Sequence, residues 1–343
     1  MVIDKKDPLK LGIIGCGWNI DFAKLYMQSI DTVEMIAAVD PIIERAINVA
    51  GQDHSYLNTE AMYKNEDIDM VYINTPHHLH KPMIKEAFHE GKHIFCEKPV
   101  TISIEDARDI SNLDKKFPKL NLGFNYQYRY DYNCYNLAMG AQNGHLGKIF
   151  YAICNGNFGR TEGYLNQGPW RTRLETAGGG TLLIHGSHII DILIWALGEP
   201  VSVIGKIDNL KFKNIEVEDI GFGIIEFENG SYGQVSNSMI TKAHKRRAID
   251  KVILNIFGDK GNCHYTGPWP LSSLKWERVK EYKSKEYLEK VAPSAEVFKA
   301  FINWVLNDKP FLNTVEESSK VLRLLKALYK SSESGKKEKV ENL

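Results

Sequence analysis

The chain lacks most of the features that mark a specialised protein. It has no excess charge of either sign, since 43 Lys and Arg balance 43 Asp and Glu over 343 residues. Nucleic-acid scaffolds and membrane-surface binders usually carry a basic excess, so neither nucleic acid nor a membrane is an expected partner. Cysteine is scarce: Cys16, Cys96, Cys134, Cys154 and Cys263 are odd in number, scattered, and form no CxxC. That excludes a disulfide framework and a cysteine zinc cluster, and it fits a reducing compartment. The N-terminal MVIDKKDPLK has no apolar signal core. The apolar run after it, Leu11 to Cys16, falls far short of the ~20 residues of a membrane span. A cytoplasmic location is therefore expected. Repeats and low-complexity segments are also missing. What remains is 43% hydrophobic and 25% charged, the balance of a folded globular protein rather than a disordered one. At about 100–200 residues per domain, the length predicts two or three domains.

The first 125 residues alternate apolar runs with helical patterns. Leu11–Gly15, Glu34–Asp40, Met70–Asn74, His93–Cys96 and Asn121–Phe124 read as strands. Helices are expected over Asn19–Ser29, Ile42–Ala50, His80–Glu90 and Ile104–Phe117. Strands apolar throughout and separated by helices predict a parallel sheet covered on both faces. From about Lys148 the pattern changes to longer strands, Ile149–Phe158, Pro200–Ile207, Glu218–Glu228, Gly230–Met239 and Lys251–Phe257. Glu228-Asn229-Gly230 forms a hairpin turn between two of them. Helices are expected at Thr181–Leu197, Ala295–Asn307 and Val315–Ser331. The fold class is α/β, with a parallel-sheet domain over 1–125 and an α+β domain with an open, mostly antiparallel sheet over 126–335. Residues 336–343 read as a frayed polar tail.

Three segments carry chemistry. Gly15-Cys16-Gly17-Trp18-Asn19-Ile20 follows the first strand. Gly15 permits a tight strand-to-helix turn, and Gly17 lets a pyrophosphate approach a helix N-terminus. Ile20 stands where a third small residue is expected, and a plain loop turn is the competing reading. Asp40, 25 residues after Gly15, is placed to accept from ribose hydroxyls and to repel a 2′-phosphate, which favours NAD over NADP. Alternatively, Asp40-Pro41 simply starts a turn. Thr75-Pro76-His77-His78-Leu79-His80 and Glu97-Lys98-Pro99 follow later strands, where parallel sheets place ligands. The three histidines have no matching carboxylate or cysteine set, so no metal is assigned. Lys98, beside Glu97 and before a proline, either reaches into a cleft with a lowered pKa or is a solvated surface charge. The third segment, Gly178-Gly179-Gly180 running into His185 and His188, lets a ligand approach closely and offers His188 for proton exchange. A satisfied core histidine is the alternative.

The succession GIIGCG, AAVD, TPHHLH, GKHIFCEKPV, GFNYQYR, AGGGTLLIHGSHIID and ENGSYG resembles the Gfo/Idh/MocA family of sugar and cyclitol oxidoreductases over about residues 9–335. The resemblance implies an N-terminal Rossmann domain and a C-terminal domain whose open sheet joins copies into a homodimer or homotetramer. It implies that Gly15, Gly17, Trp18, Asn19, Asp40, Thr75, Pro76, His80, Glu97, Lys98 and Asn125 border NAD. Lys98 and His188 would be catalytic, with His185 beside them, and Arg129, Trp170 and Arg171 would line the substrate. Many relatives carry Asp or Asn where this chain has Ile184, so either His185 takes over part of that role or Lys98 and His188 act without it. Arg173, with Arg160, Arg171 and Lys148, would favour an anionic sugar unless these are solvated surface charges. The implied activity is hydride transfer between NAD(H) and a secondary hydroxyl or ketone of a sugar or cyclitol. A redox-neutral NAD-dependent glycosidase and a non-enzymatic NAD or sugar sensor are the alternatives.

Overall fold

The structure, a computed structural model of the chain, describes residues 7–17, 19–241, 250–268, 270–284 and 291–343. It forms two compact units that a single cut does not separate. The first comprises Met1–Thr101, Glu105–Tyr126 and Ser294–Glu317, and the second Ile102–Ile104, Gln127–Pro293 and Ser318–Leu343.

The first unit is built on six parallel strands, β1 (Leu9–Ile14), β2 (Val33–Val39), β3 (Ser55–Tyr56), β4 (Met70–Ile73), β5 (His93–Cys96) and β6 (Leu122–Phe124). Their order is β3-β2-β1-β4-β5-β6, the doubly wound dinucleotide-binding arrangement. Helices cover both faces, so β1 and β4 need apolar side chains on each side: Leu11, Ile13, Met70, Val71 and Ile73 are all buried. The strand order reverses between β1 and β4, and the loops at their carboxyl ends carry the Gly15 turn and Thr75-Pro76. A segment far along the chain completes this unit. The helix Pro293–Asn307 sets Phe298 4.5 Å and Phe301 5.1 Å from the Phe95 ring, and Phe298 5.3 Å from Tyr72. Gly123 on β6 has no room for a Cβ, which would lie 2.5 Å from Phe311 and 2.9 Å from Phe301. The expected division at residue 125 therefore leaves out a piece of the first unit's core.

Among the described residues the second unit holds eight strands: β7 (Ile149–Phe158), β8 (Pro200–Asp208), β9 (Ile220–Phe227), β10 (Tyr232–Ser238), β11 (Asp250–Gly258), β12 (Asn262–Gly267), β13 (Ser273–Glu277) and β14 (Glu338–Lys339). They run in the order β13-β12-β11-β7-β10-β9-β8-β14, parallel at β7–β10 and antiparallel elsewhere. The β9–β10 turn closes at Gly230, whose φ of +82° is the conformation a side chain would resist. One sheet face packs on the helix Ser187–Leu197. The stretch Leu174–Leu197 is long and apolar enough to cross a membrane, yet 94% of its most apolar window is buried inside the protein, as in a core helix. The opposite sheet face leaves Tyr151, Ile204, Phe222, Ile224 and Tyr232 about half exposed, with Ile204 opposite Ile224 and Tyr151 opposite Tyr232.

The tail is not frayed. Glu338 and Lys339 pair with Val203 and Ser202, Val340 N donates to Val201 O at 3.0 Å, and Arg323 donates to Glu341 O and Asn342 Oδ1. A polar sequence suffices because an edge strand needs backbone partners, not apolar side chains, to cover its open N–H and C=O groups.

Candidate active site

In the first unit, Gly15 is held at φ +91° with N–H donating to Val39 O, and a Cβ there would lie 2.6 Å from Asn74 O. Only glycine fits. Gly17 differs: a Cβ would meet nothing within 4 Å among the described residues, so no packing among them demands glycine. That is the property expected where a phosphate approaches the backbone, and the loop fits a dinucleotide in this respect. Asp40 is buried, and its two carboxylate oxygens accept from Cys16 N and Ile42 N, each at 2.9 Å. It therefore fastens the glycine loop to the turn after β2, and each oxygen keeps a lone pair for a ribose hydroxyl. Asn19 precedes the helix Ile20–Met27 without a side-chain capping bond. Ile20 turns into the core at 5% exposure. Trp18 lies outside the described residues.

His80, expected to border the cofactor, has its ring inside the first unit. It is fully buried, its Nδ1 2.8 Å from Pro99 O and its Nε2 3.1 Å from Thr75 O. Burial lowers its pKa to about 4; the Lys98 charge adds to the shift, and the two carbonyls oppose it. It braces Thr75-Pro76 and Lys98-Pro99 from within. Glu97 Oε1 accepts from Tyr72 OH at 2.6 Å and from Asn125 Nδ2 at 2.7 Å. Half-buried Lys98 thus leaves the backbone between two fixed neighbours, Glu97 and Pro99. Sequence reasoning missed Tyr72, although it is the only residue of β4 with a polar side-chain atom.

In the second unit, His188 is half-buried and its ring stacks on Tyr128 with centroids 4.9 Å apart and planes at 20°. One turn further along the helix, Asp191 receives Arg129 in a two-pronged pair, Nε to Oδ2 and Nη2 to Oδ1, both at 2.8 Å. Arg129 and Asp191 are 2% and 1% exposed, and the guanidinium lies over Trp195. Arg129, expected to line the substrate, is bound inside the unit, where it fixes Gln127–Tyr130 on the helix beside the Tyr128–His188 stack.

His185 and Ile184 diverge because adjacent helical residues point about 100° apart. His185 is buried between Phe158 and Tyr164, and its Nδ1 faces Arg160 at 3.4 Å. Ile184 packs in an apolar cluster with Ala177 and Val217, against Trp170. The two residues thus have different surroundings, His185 between aromatic rings and Ile184 among aliphatic groups. Arg160 is paired with Asp250 at 2.7 Å, so it is no spare cation for an anionic substrate. The Arg171 guanidinium lies over Trp170 at 4.5 Å and Tyr164 at 5.4 Å.

The glycine run carries a correction. Gly178 sits at φ +78°, a Cβ on Gly179 would fall 2.2 Å from Tyr329 OH, and one on Gly180 would fall 1.9 Å from Glu218 O. Close approach is indeed the reason for the glycines, but the approaching groups belong to the chain itself.

The family model described as the oxidoreductase-family NAD-binding Rossmann fold matches residues 9–123, and the Gfo/Idh/MocA C-terminal domain matches residues 140–264. The chain belongs to the Gfo/Idh/MocA family. Its first unit is thus the family's NAD-binding Rossmann domain. D-glucoside 3-dehydrogenase of Escherichia coli is 26% identical over 357 aligned positions, covering 96% of each chain. The 1,5-anhydro-D-fructose reductase of Ensifer adhaerens is 27% identical over 221 positions, 61% of this chain and 63% of that one. Among solved structures, the WlbA dehydrogenase of Bordetella pertussis, in complex with NADH and UDP-GlcNAcA, matches with a TM-score of 0.87 at 20% identity. The match covers 98% of this chain and 99% of that one, a likeness of fold. Within this Gfo/Idh/MocA chain, Tyr128, Asp191 and Glu218 had no individual signal in the sequence. Each acts through a contact with a residue read for other reasons.

Proposed function

We propose that this protein is an NAD(H)-dependent oxidoreductase acting on a secondary hydroxyl, or the corresponding ketone, of a sugar, sugar derivative or cyclitol. Bound NAD supplies the hydride acceptor in oxidation, and NADH the donor in reduction. Gly15, Gly17, Asp40, Thr75 and Pro76 hold the cofactor, with the Asp40 carboxylate disfavouring a 2′-phosphate. Glu97 and Asn125 border it. His188 accepts the hydroxyl proton at a ring nitrogen, and Lys98 donates a hydrogen bond to the same oxygen as it gains charge. Trp170 and Arg171 meet the substrate's far side. The reading is carried by His188: a half-buried imidazole, stacked on Tyr128 in a segment that Arg129 pins to Asp191, is oriented for proton exchange. A panel of neutral and anionic sugars and cyclitols, incubated with NAD or NADP, tests it. NADH absorbance should rise with at least one compound and NADP should serve poorly. NAD binding without turnover on any member, in either direction, would reject the activity.

The half-exposed face of β7–β10 is proposed as the surface joining copies into a homo-oligomer. Sedimentation should show a dimer or tetramer that Phe222→Lys with Ile224→Lys reduces to monomer. A monomeric parent at micromolar concentration would refute this.

A further inference from the structure

We infer that Glu218 is a positioning residue for this chemistry, anchoring the first turn of the helical segment that presents His188 from a point outside that segment. The inference rests on the proposed role of His188. Glu218 lies two residues before β9 and is buried. Its Oε2 accepts from Gly180 N at 2.6 Å, its Oε1 from Leu182 N at 2.9 Å, and its backbone oxygen from Thr181 N at 2.9 Å. Three successive N–H groups, those that a helix start leaves without internal partners, therefore converge on one residue. They also form the positive end of the helix dipole, which suits a carboxylate. A capping side chain ordinarily sits immediately before its helix; here it arrives from 36 to 38 residues downstream.

Tyr329, on the helix Val315–Ser334, holds the carboxylate in turn by donating to Oε1 at 3.1 Å. From the same helix Lys326 Nζ donates to Gly178 O at 2.8 Å, so the glycine run is gripped at both ends. Gly179 and Gly180 are glycine because Tyr329 OH and Glu218 O occupy the space of a side chain. Beyond this anchor the chain passes through a π turn, Leu182–Gly186, into the α-helix Ser187–Leu197. His188 stands six residues past Leu182, just beyond the π turn. A small tilt at the anchor is carried along that length to the imidazole. The groups facing the carboxylate are the backbone N–H groups of Gly180, Leu182 and Glu218 itself, the Tyr329 phenol and the Lys326 ammonium. Burial nonetheless raises the Glu218 pKa to about 7.

Glu218→Gln tests the role, because the amide keeps one acceptor oxygen but turns an NH₂ toward a backbone N–H that needs an acceptor. We expect kcat to fall at least about tenfold, the NAD dissociation constant to stay unchanged, and the NMR titration of the His188 ring to move. Tyr329→Phe should move the same two readouts less. A folded Glu218→Gln protein with parental kcat and an unshifted His188 titration overturns the inference. If Glu218→Gln does not fold, Tyr329→Phe decides by the same readouts. His188→Ala separates the premises: if it retains activity, the proposed role of His188 fails, while the ring titration in Glu218→Gln still judges the anchor.

Discussion

His188→Ala is expected to lower kcat about 100- to 10,000-fold while leaving the NAD dissociation constant unchanged, the range typical of removing a positioned acid–base group. The imidazole sits in the second unit, whereas the glycine loop, Asp40 and Glu97, the residues proposed to hold the cofactor, sit in the first. Truncating it removes the proposed proton acceptor and leaves the hydrogen bonds of Asp40 and Glu97 in place. Lys98→Ala should show the same pattern for a different reason. An ammonium beside the oxygen stabilises an alkoxide more than an alcohol, so its loss is felt in the transition state rather than in binding. The Glu97 and Pro99 anchors on either side of Lys98 do not use its ammonium, so the loop should keep its shape. Steady-state kinetics on the substrate found by screening, with cofactor affinity from fluorescence titration, checks both variants. Near-parental kcat in either removes that residue from the reaction.

The second large effect is on stability. Asp191→Ala should destabilise the protein by about 3–5 kcal/mol, because it leaves the Arg129 guanidinium inside the fold without its carboxylate. Both side chains are almost wholly buried and joined by two 2.8 Å bonds. Most of the loss is the cost of a stranded charge, not the strength of the pair. Replacing both partners, Arg129→Met with Asp191→Leu, should accordingly recover most of it. Urea unfolding distinguishes these outcomes through a shifted midpoint at constant slope. A loss below about 1 kcal/mol for Asp191→Ala, or a double variant as unstable as the single one, would show that the pair is not acting as a buried unit. The double variant should still turn over poorly, since Tyr128 loses the anchor that seats it on His188.

The strands of the first sheet were readable because burial on both faces writes each as an unbroken apolar run, as in Met70–Ile73. The two-residue β3 is too short to leave a pattern, and β12 and β13 were missed. Pro293–Asn307 was legible as a helix but not as part of the first unit, because its partners Phe95 and Tyr72 lie some two hundred positions away. At the candidate site the order of motifs pointed to Lys98 and His188. What local sequence hides is pairing. Arg129 reads as a residue lining the substrate, with no hint of Asp191 across it, and His80 as one bordering the cofactor, with no hint of the two carbonyls beside its ring. The Gly178–Gly180 run looks the same whether its neighbour is a ligand or, as here, Glu218 and Tyr329. The polar tail misled because its pairing is made by backbone alone.

The return of residues 294–317 to the first unit bears on how the protein is made. When a ribosome has finished the six parallel strands, Phe95 and Tyr72 still lack the helix that covers them, and the second unit's β7–β13 must be synthesised before it emerges. The cofactor domain, whose strands precede the second unit's in the chain, is thus completed late. During that interval its unfinished apolar surface is open to chaperones and to misassembly.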